Sequence, residues 1–253
     1  MRIASLGSGS RGNATLIQHE QTTLLVDCGF SLRETERRLD ELGLSARKID
    51  AILVTHEHGD HIRGIRSFVR KHATPVFMTH GTYRVSDIFE QHPCREIVAG
   101  EQLEIKDISV LPFAVPHDAT EPCQFLFTDG EVRIGLLTDT GMITPHIIEQ
   151  LSGCDALLLE CNHDSQMLRE GEYPASLKQR VGGDYGHLSN SQAAELLMKM
   201  DISRLSYVAA MHLSDKNNKP ALARQALCQA LGWRQHDIMV ADQDNGLDWI
   251  ELN

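Results

Sequence analysis

Between Thr55 and His61 the chain reads Thr-His-Glu-His-Gly-Asp-His, so three imidazoles and Asp60 share six consecutive positions. Neutral imidazoles carry lone pairs, and beside a carboxylate they suit zinc, with manganese and iron as alternatives. The preceding run Ile49-Asp50-Ala51-Ile52-Leu53-Val54 reads as a buried strand. Side chains alternate along a strand, which puts His56 and His58 on one side. Gly59 is the natural pivot for a turn that brings Asp60 and His61 back towards the same point. A histidine-rich surface loop is the plain alternative, but such a loop has no reason to sit at the mouth of a buried strand. The segment reads as a metal site.

This pattern, two histidines and an Asp-His pair after a hydrophobic strand, resembles the signature of the metallo-β-lactamase superfamily. The resemblance implies an α/β fold, an αββα sandwich of two mixed β-sheets flanked by helices, with two metal ions at the edge of the sheets. It also implies further ligands in a fixed order: a distant His, an Asp or Cys at a strand end, then a last His. His117 follows an apolar strand and Pro116, Asp139 stands where the run through Leu137 ends, and His212 follows the run from Leu205 to Ala210. On that order His56, His58 and His117 hold one ion, Asp60, His61 and His212 the other, and Asp139 bridges them. Taken alone, Asp139 would be an ordinary turn former. Asp27 closes an earlier strand at a place where many members of the superfamily have an Asp that supports the ligand loop.

The elements that must position these groups can be read in order. Strands are expected over 2–6, 15–17 and 23–26, and Ser31 with Glu34 forms a capping box for a helix ending at Gly43. A helix over 62–72 turns Ile62, Ile65, Phe68 and Val69 to the core and Arg63, Arg66 and Arg70 outward, either as a solvated face or as a row that follows a phosphate backbone. A strand over 75–78, a helix from Thr82 to about Gln91, and strands over 98–105 and 108–113 come next. Asp129-Gly130 signals a two-residue hairpin, and Thr144-Pro145 starts a helix to Leu151. After the strand 156–159, the polar stretch 168–183 is expected to be a mobile segment near the opening. A helix over 191–200, a strand over 205–210, a helix from Pro220 to Gly232 and two closing strands complete the chain.

Further candidates lie around the ligands. The loop Gly7-Ser8-Gly9-Ser10-Arg11-Gly12-Asn13 is an ordinary turn or a row of backbone N–H groups offered to a phosphate, with Ser8, Ser10 and Asn13 as contacts. Glu160 and His163 follow a fully apolar strand, where they can orient ligands, touch substrate or bond the backbone. His187 precedes a helix start capped by Ser189 with Gln192, an end that favours an anion and places Ser189 and Asn190 near it. The alternative for His187 is a capping-loop residue with a satisfied ring.

Composition bounds the rest. The chain has 253 residues, 42% of them hydrophobic, which suits one domain over 1–253, with no linker-like tract or repeat. No apolar run approaches ~18 residues, and the start lacks a signal peptide's apolar stretch. Six scattered cysteines without a Cys-x-x-Cys pair read as reduced thiols, and the expected location is cytoplasmic. The net charge of −11 argues against coating nucleic acid by bulk attraction, although two divalent ions would reverse the sign locally.

The glycine–serine loop, the Thr55–His61 motif, Leu157–Asp164, Gly186–Asn190 and His212-Leu213-Ser214 together resemble the YycJ-type subgroup, similar to ribonuclease Z and regarded as DNA exonucleases. In ribonuclease Z a similarly placed His acts on the leaving group or clamps the phosphate, which gives His187 a catalytic role beside Asp60. The implied function is a dinuclear phosphodiester hydrolase, a nuclease acting on DNA or RNA through a hydroxide shared by the ions, which Asp60 orients. A small-molecule phosphodiesterase for cyclic nucleotides or phosphonate intermediates is the main alternative. A lactonase, thioesterase or β-lactamase is a weaker one, since a bridging carboxylate and His187 suit phosphate better. A purely structural metal protein needs only four ligands and no open position. No membrane partner is expected, and the oligomeric state stays open, a homodimer included.

Overall fold

A computed structural model of the protein describes residues 1–86 and 94–252. The first sheet is built from β1 (Arg2–Gly7), β2 (Ala14–His19), β3 (Thr22–Val26), β4 (Ala51–Leu53), β5 (Val76–Thr79) and β6 (Cys94–Ile97). The second contains β7 (Leu103–Ile105), β8 (Ile108–Ala114), β9 (Cys123–Thr128), β10 (Arg133–Leu137), β11 (Ala156–Glu160), β12 (Tyr207–Met211) and β13 (Ile238–Val240). The last strand, β14 (Leu247–Glu251), returns to pair antiparallel with β1, so each sheet has seven strands among the described residues. Strands β3 to β6 run parallel, as do β10 to β13, and the other pairs are antiparallel. Both sheets are mixed.

Strand alternation explains the layering. One set of side chains, including Ile17, Leu24 and Leu53 of the first sheet and Phe125, Leu136 and Leu158 of the second, meets between the sheets. The opposite face of the first sheet is covered by α1 (Leu32–Glu41) and α3 (Ile65–His72), with Leu39, Ile65 and Phe68 fully buried. The outer face of the second carries α5 (Pro145–Leu151), α8 (Asn190–Lys199) and α9 (Pro220–Leu231) through Leu151, Leu196 and Leu227. This is the αββα sandwich. The remaining helices are α2 (Gly59–Ile62), α4 (His80–Val85), α6 (Ser165–Glu170) and α7 (Ala175–Val181).

Several local expectations need correction. The run 98–105 is not one strand: β6 ends at Ile97 in the first sheet, Gly100 turns the chain with φ +91°, and β7 starts the second sheet. The hairpin around Asp129-Gly130 pairs Thr128 with Arg133, so its loop has four residues, 129–132, with Asp129 Oδ1 accepting from the Glu131 and Val132 amides. Ser31 caps α1 by accepting from the Glu34 amide, but the Glu34 carboxylate turns to Arg37 and Arg38 instead of closing a capping box. The helix over 62–72 is divided into α2 and α3. The stretch 168–183 contains the second half of α6 and all of α7, where its polar residues make surface helices. Thr79, not Thr82, caps α4, and the expected extension to Gln91 lies outside the described residues.

Candidate metal centre

The parallel strands end on one side of the molecule, the edge where ligands gather in α/β sheets. His56 and His58 follow β4, Asp139 follows β10, Glu160 ends β11 and His212 follows β12. His117 arrives from the loop after β8, and Asp27 follows β3. Asp27, Asp139 and His212 all take left-handed backbone angles, with φ +61°, +53° and +52°. That conformation costs a side-chain-bearing residue roughly 1–2 kcal/mol, and such strain collects where function fixes a side chain's direction.

The turn after His58 depends on other glycines than Gly59. Gly59 opens α2 without a positive φ, and a Cβ there would meet only Arg63 at 3.9 Å. A Cβ on Gly29 would overlap the Asp60 carbonyl, and one on Gly64 the Phe30 carbonyl. These close approaches let Cys28 N donate to His61 O at 2.7 Å and Gly64 N to Cys28 O at 2.8 Å. The segment after β3 is thus stitched to the ligand motif.

The donor atoms are pre-set by their other hydrogen bonds. Asp27 Oδ2 accepts from His61 Nδ1 at 2.7 Å and from Thr55 Oγ1 at 2.9 Å. Having donated to Asp27, the Thr55 hydroxyl accepts from His56 Nδ1 at 3.0 Å, which leaves the lone pair on His56 Nε2. His117 Nδ1 donates to the Gly186 carbonyl at 3.0 Å, which likewise turns a bare Nε2 inward. Asp139 lies among these rings: Oδ2 is 3.2 Å from His61 Nε2 and Oδ1 3.0 Å from His212 Nδ1.

His56, His58 and His117 form one group able to hold a cation, Asp60, His61 and His212 a second, and Asp139 joins His56 and His61 in a third. The buried Nε2 atoms of His56 and His212 lack a hydrogen-bond partner among the described residues. Unpartnered buried polar atoms are expensive unless something else binds them. Electrostatics agrees. Burial works against charge on His61 and His212, yet Asp139 and its neighbouring carboxylates outweigh it, raising His61 well above the ordinary histidine range and His212 to about 10. A field that draws protons so strongly also draws cations. His56, with no carboxylate as close, is pushed well below the ordinary range by burial and by His61. The donor set fits divalent metal ions.

The surrounding candidates divide. Ser8 Oγ accepts from the His212 amide at 2.8 Å and donates to Asn13, whose Nδ2 stands 3.3 Å from Asp60 Oδ2. The amides of Gly9, Arg11, Gly12 and Asn13 are used inside the protein, so this loop buttresses ligands and does not offer those N–H groups to a phosphate. Ser10 reaches the cleft. Glu160 accepts from His187 Nδ1 at 2.8 Å and from the Thr140 and Leu188 amides. Ser189 and Asn190 do not line the cleft. Ser189 closes a capping box with Gln192, and the Asn190 amide is paired with Asn218. His163 lies against Gly182 and Ser189 in a separate depression.

The cleft over the donors has a volume of about 350 Å³, and His58, Asp60, His187 and His212 line it. The stretch 168–183 does lie near the opening, since Tyr173 and Arg180 line the cleft, and Asn162 reaches it from the loop after β11; none of these three was singled out from the sequence. Arg180 Nε donates to Asp118 Oδ2 at 2.6 Å, next to His117. The Asp directly after a ligand His was the available signal for this pair.

Residues 22–209 match the model of the β-lactamase superfamily domain. The chain belongs to this superfamily. Exodeoxyribonuclease YycJ of Bacillus anthracis is 34% identical over 235 residues, covering 91% of this chain and 89% of that protein. Exodeoxyribonuclease WalJ of Streptococcus pneumoniae is 33% identical over 244 residues, covering 91% and 88%. Superfamily folds of low identity superpose closely. The metallo-β-lactamase fold protein YhfI of Bacillus subtilis gives a TM-score of 0.76 at 16% identity, covering 99% of both chains. The short form of human tRNase Z gives 0.69 at 17%, covering all of both. As in a superfamily hydrolase, the donors here sit at strand ends, and among the described residues no helix is long and apolar enough to cross a membrane.

Proposed function

We propose that this chain is a metal-dependent exodeoxyribonuclease that hydrolyses phosphodiester bonds with two divalent ions, zinc being the best match to its donors. The observation that supports the dinuclear reading is Asp139, which stands within ligating reach of His56 and His61 together and so joins a member of each histidine group. A carboxylate between two donor groups keeps both oxygen-seeking, which suits phosphate. When bound, such ions supply a nucleophilic water at neutral pH and Lewis-acid pull on phosphoryl oxygens. His56, His58 and His117 would hold one, and Asp60, His61 and His212 the other.

The chain's own residues do the remaining work. Asp27 and Thr55 fix the tautomers of His61 and His56, and Gly186 fixes that of His117. Asn13 steadies Asp60, which stays positioned to orient the attacking water. His187 faces the cleft with its Nδ1 held by Glu160, and burial is outweighed by Glu160 and Asp139, raising its pKa. A shift in that direction favours the protonated ring that a general acid for the leaving alkoxide needs. The choice of DNA as substrate is supported by two relatives named exodeoxyribonucleases that align over nine-tenths of the chain. The small cleft supports a second reading, a phosphodiesterase of small nucleotides.

A screen of metal-loaded protein against bis-p-nitrophenyl phosphate, single-stranded DNA, RNA, cyclic nucleotides, a lactone and nitrocefin tests this. Turnover of DNA and the aryl diester well above the others is the expected result. Efficient lactone opening with every phosphodiester intact would overturn it.

A further inference from the structure

Arg63, Arg66 and Arg70 follow directly on the ligand motif at i, i+3 and i+7. The backbone stays right-handed across the joint between α2 and α3, with φ/ψ of −51°/−35° at Arg63 and −85°/−20° at Gly64. The three side chains therefore share one face, while Ile62, Ile65, Phe68 and Val69 bury the other. All three arginines are exposed.

The row begins at the cleft. Arg63 Nη2 would lie 3.9 Å from a Cβ on Gly59, and Nη1 donates to Arg11 O at 3.5 Å. Gly59 and Ser10, the neighbour of Arg11, both line the cleft. Among the described residues no carboxylate pairs with any of the three. Some other exposed arginines are paired, as Arg37 with Glu34, Arg204 with Asp155 and Arg234 with Asp237, while Arg33, Arg47, Arg84 and Arg95 have no carboxylate partner among the described residues; Arg63, Arg66 and Arg70 differ in forming one row that starts beside the cleft. The acids on the Arg11 side, Asp215 and Asp244, are taken by Arg11 itself.

Like charges three and four residues apart on a helix repel, so the row costs stability and does not serve packing. It persists in a chain with 35 acidic and 24 basic residues, where neutralising partners are plentiful. Guanidinium groups fit phosphate oxygens in bidentate geometry. The geometry points to a docking track along α3 for the sugar–phosphate backbone of a DNA strand whose end lies in the metal cleft. This rests on the nuclease reading and extends it from the reacting bond to the strand behind it. It also reconciles an acidic protein with a polyanionic substrate, since contact needs only one unneutralised row.

The test compares wild type, Arg63→Gln/Arg66→Gln/Arg70→Gln, and the control Lys106→Gln/Lys199→Gln/Arg234→Gln, whose three cations each sit against a carboxylate. Binding of a fluorescein-labelled phosphorothioate DNA strand to metal-loaded protein is followed by anisotropy across a salt series. Each lost phosphate contact removes about 0.7 from the slope of log affinity against log salt for a single strand, so the arginine variant should lose about 2 and the control none. Its loss in DNA turnover should also exceed any loss on bis-p-nitrophenyl phosphate. An unchanged slope, an equal change in the control, or wild type that binds no DNA overturns the track. Wild type that binds through these arginines but cuts no DNA overturns the nuclease reading alone.

Discussion

Asp27 Oδ2 sits 2.7 Å from His61 Nδ1 and 2.9 Å from the Thr55 hydroxyl, so one buried carboxylate sets the orientation of two histidines, His61 directly and His56 through Thr55. Partners of this kind raise ligand basicity and hold the ring, and losing one typically costs 10–100-fold in metal affinity or activity. Asp27→Asn keeps the shape and removes the charge. It should weaken metal binding by about that factor, measured by competition with a chromophoric chelator, while circular dichroism stays that of wild type. Wild-type affinity in this variant would reduce Asp27 to a backbone brace for Thr55.

Metal content is the second prediction. If Asp139 joins two donor groups, elemental analysis of metal-loaded protein should find close to two equivalents per chain, and Asp139→Ala should lose at least one. Stripping wild type with a chelator should abolish phosphodiester turnover, and re-adding zinc or manganese should restore it. One equivalent or less in fully loaded wild type would remove the dinuclear mechanism.

The clustering of the candidate donors was legible because most of them follow an apolar run that must be a strand, and strands in this fold end at one edge. Asp27 was legible for the same reason. What escaped depends on partners far away in the chain. Nothing local shows that the chain leaves the first sheet at Ile97 and enters the second at Leu103, since both flanks read as strand. Gly59 looked like the pivot, but the glycine requirement falls on Gly29 and Gly64, where other backbone passes too close for a Cβ. Ser189 and Asn190 stand close to the cleft-lining His187 in sequence, yet capping and the Asn218 pair hold them away from the cleft. Arg180 was missed because only α7's packing brings it to Asp118.

Acid stability gives a third prediction. Hydrogen bonds from Arg37, and then from Arg38 against a smaller burial penalty, lower Glu34 to about 2. The Arg38 guanidinium also donates to Gln243 O at 3.1 Å, and the Gln243 side chain clamps the ligand-supporting loop at Arg11 N and Gly12 O. A carboxylate with a depressed folded pKa contributes stability above its unfolded value, and that contribution is lost as pH falls towards the folded one. The Glu34→Gln variant should therefore melt below wild type at pH 7, by a modest margin because the site is partly solvated. The difference should shrink between roughly pH 4.5 and 2. A constant gap across that window would assign the effect to packing.

His187 separates binding from chemistry. Its Nδ1 is engaged by Glu160 at 2.8 Å and lies 3.3 Å from Asp139 Oδ1, while its side chain stays 22% exposed towards the cleft. Glu160, His187, Asp139 and His212 could also gather round a cation, so a ligand role has to be tested directly. As a general acid, His187 would be dispensable for metal binding, and His187→Ala should keep wild-type metal content and melting temperature. The lost proton transfer is typically worth a factor of 10² to 10⁴ on a nucleotide alkoxide. It should be far smaller on bis-p-nitrophenyl phosphate, whose leaving group departs without a proton. Glu160→Gln should give a milder loss with the same substrate bias, together with a downward shift of the basic limb of the pH–rate profile, because the carboxylate that keeps His187 protonated is gone. Metal loss in His187→Ala would make the residue a ligand, and equal losses on both substrates would make it a clamp on the phosphate.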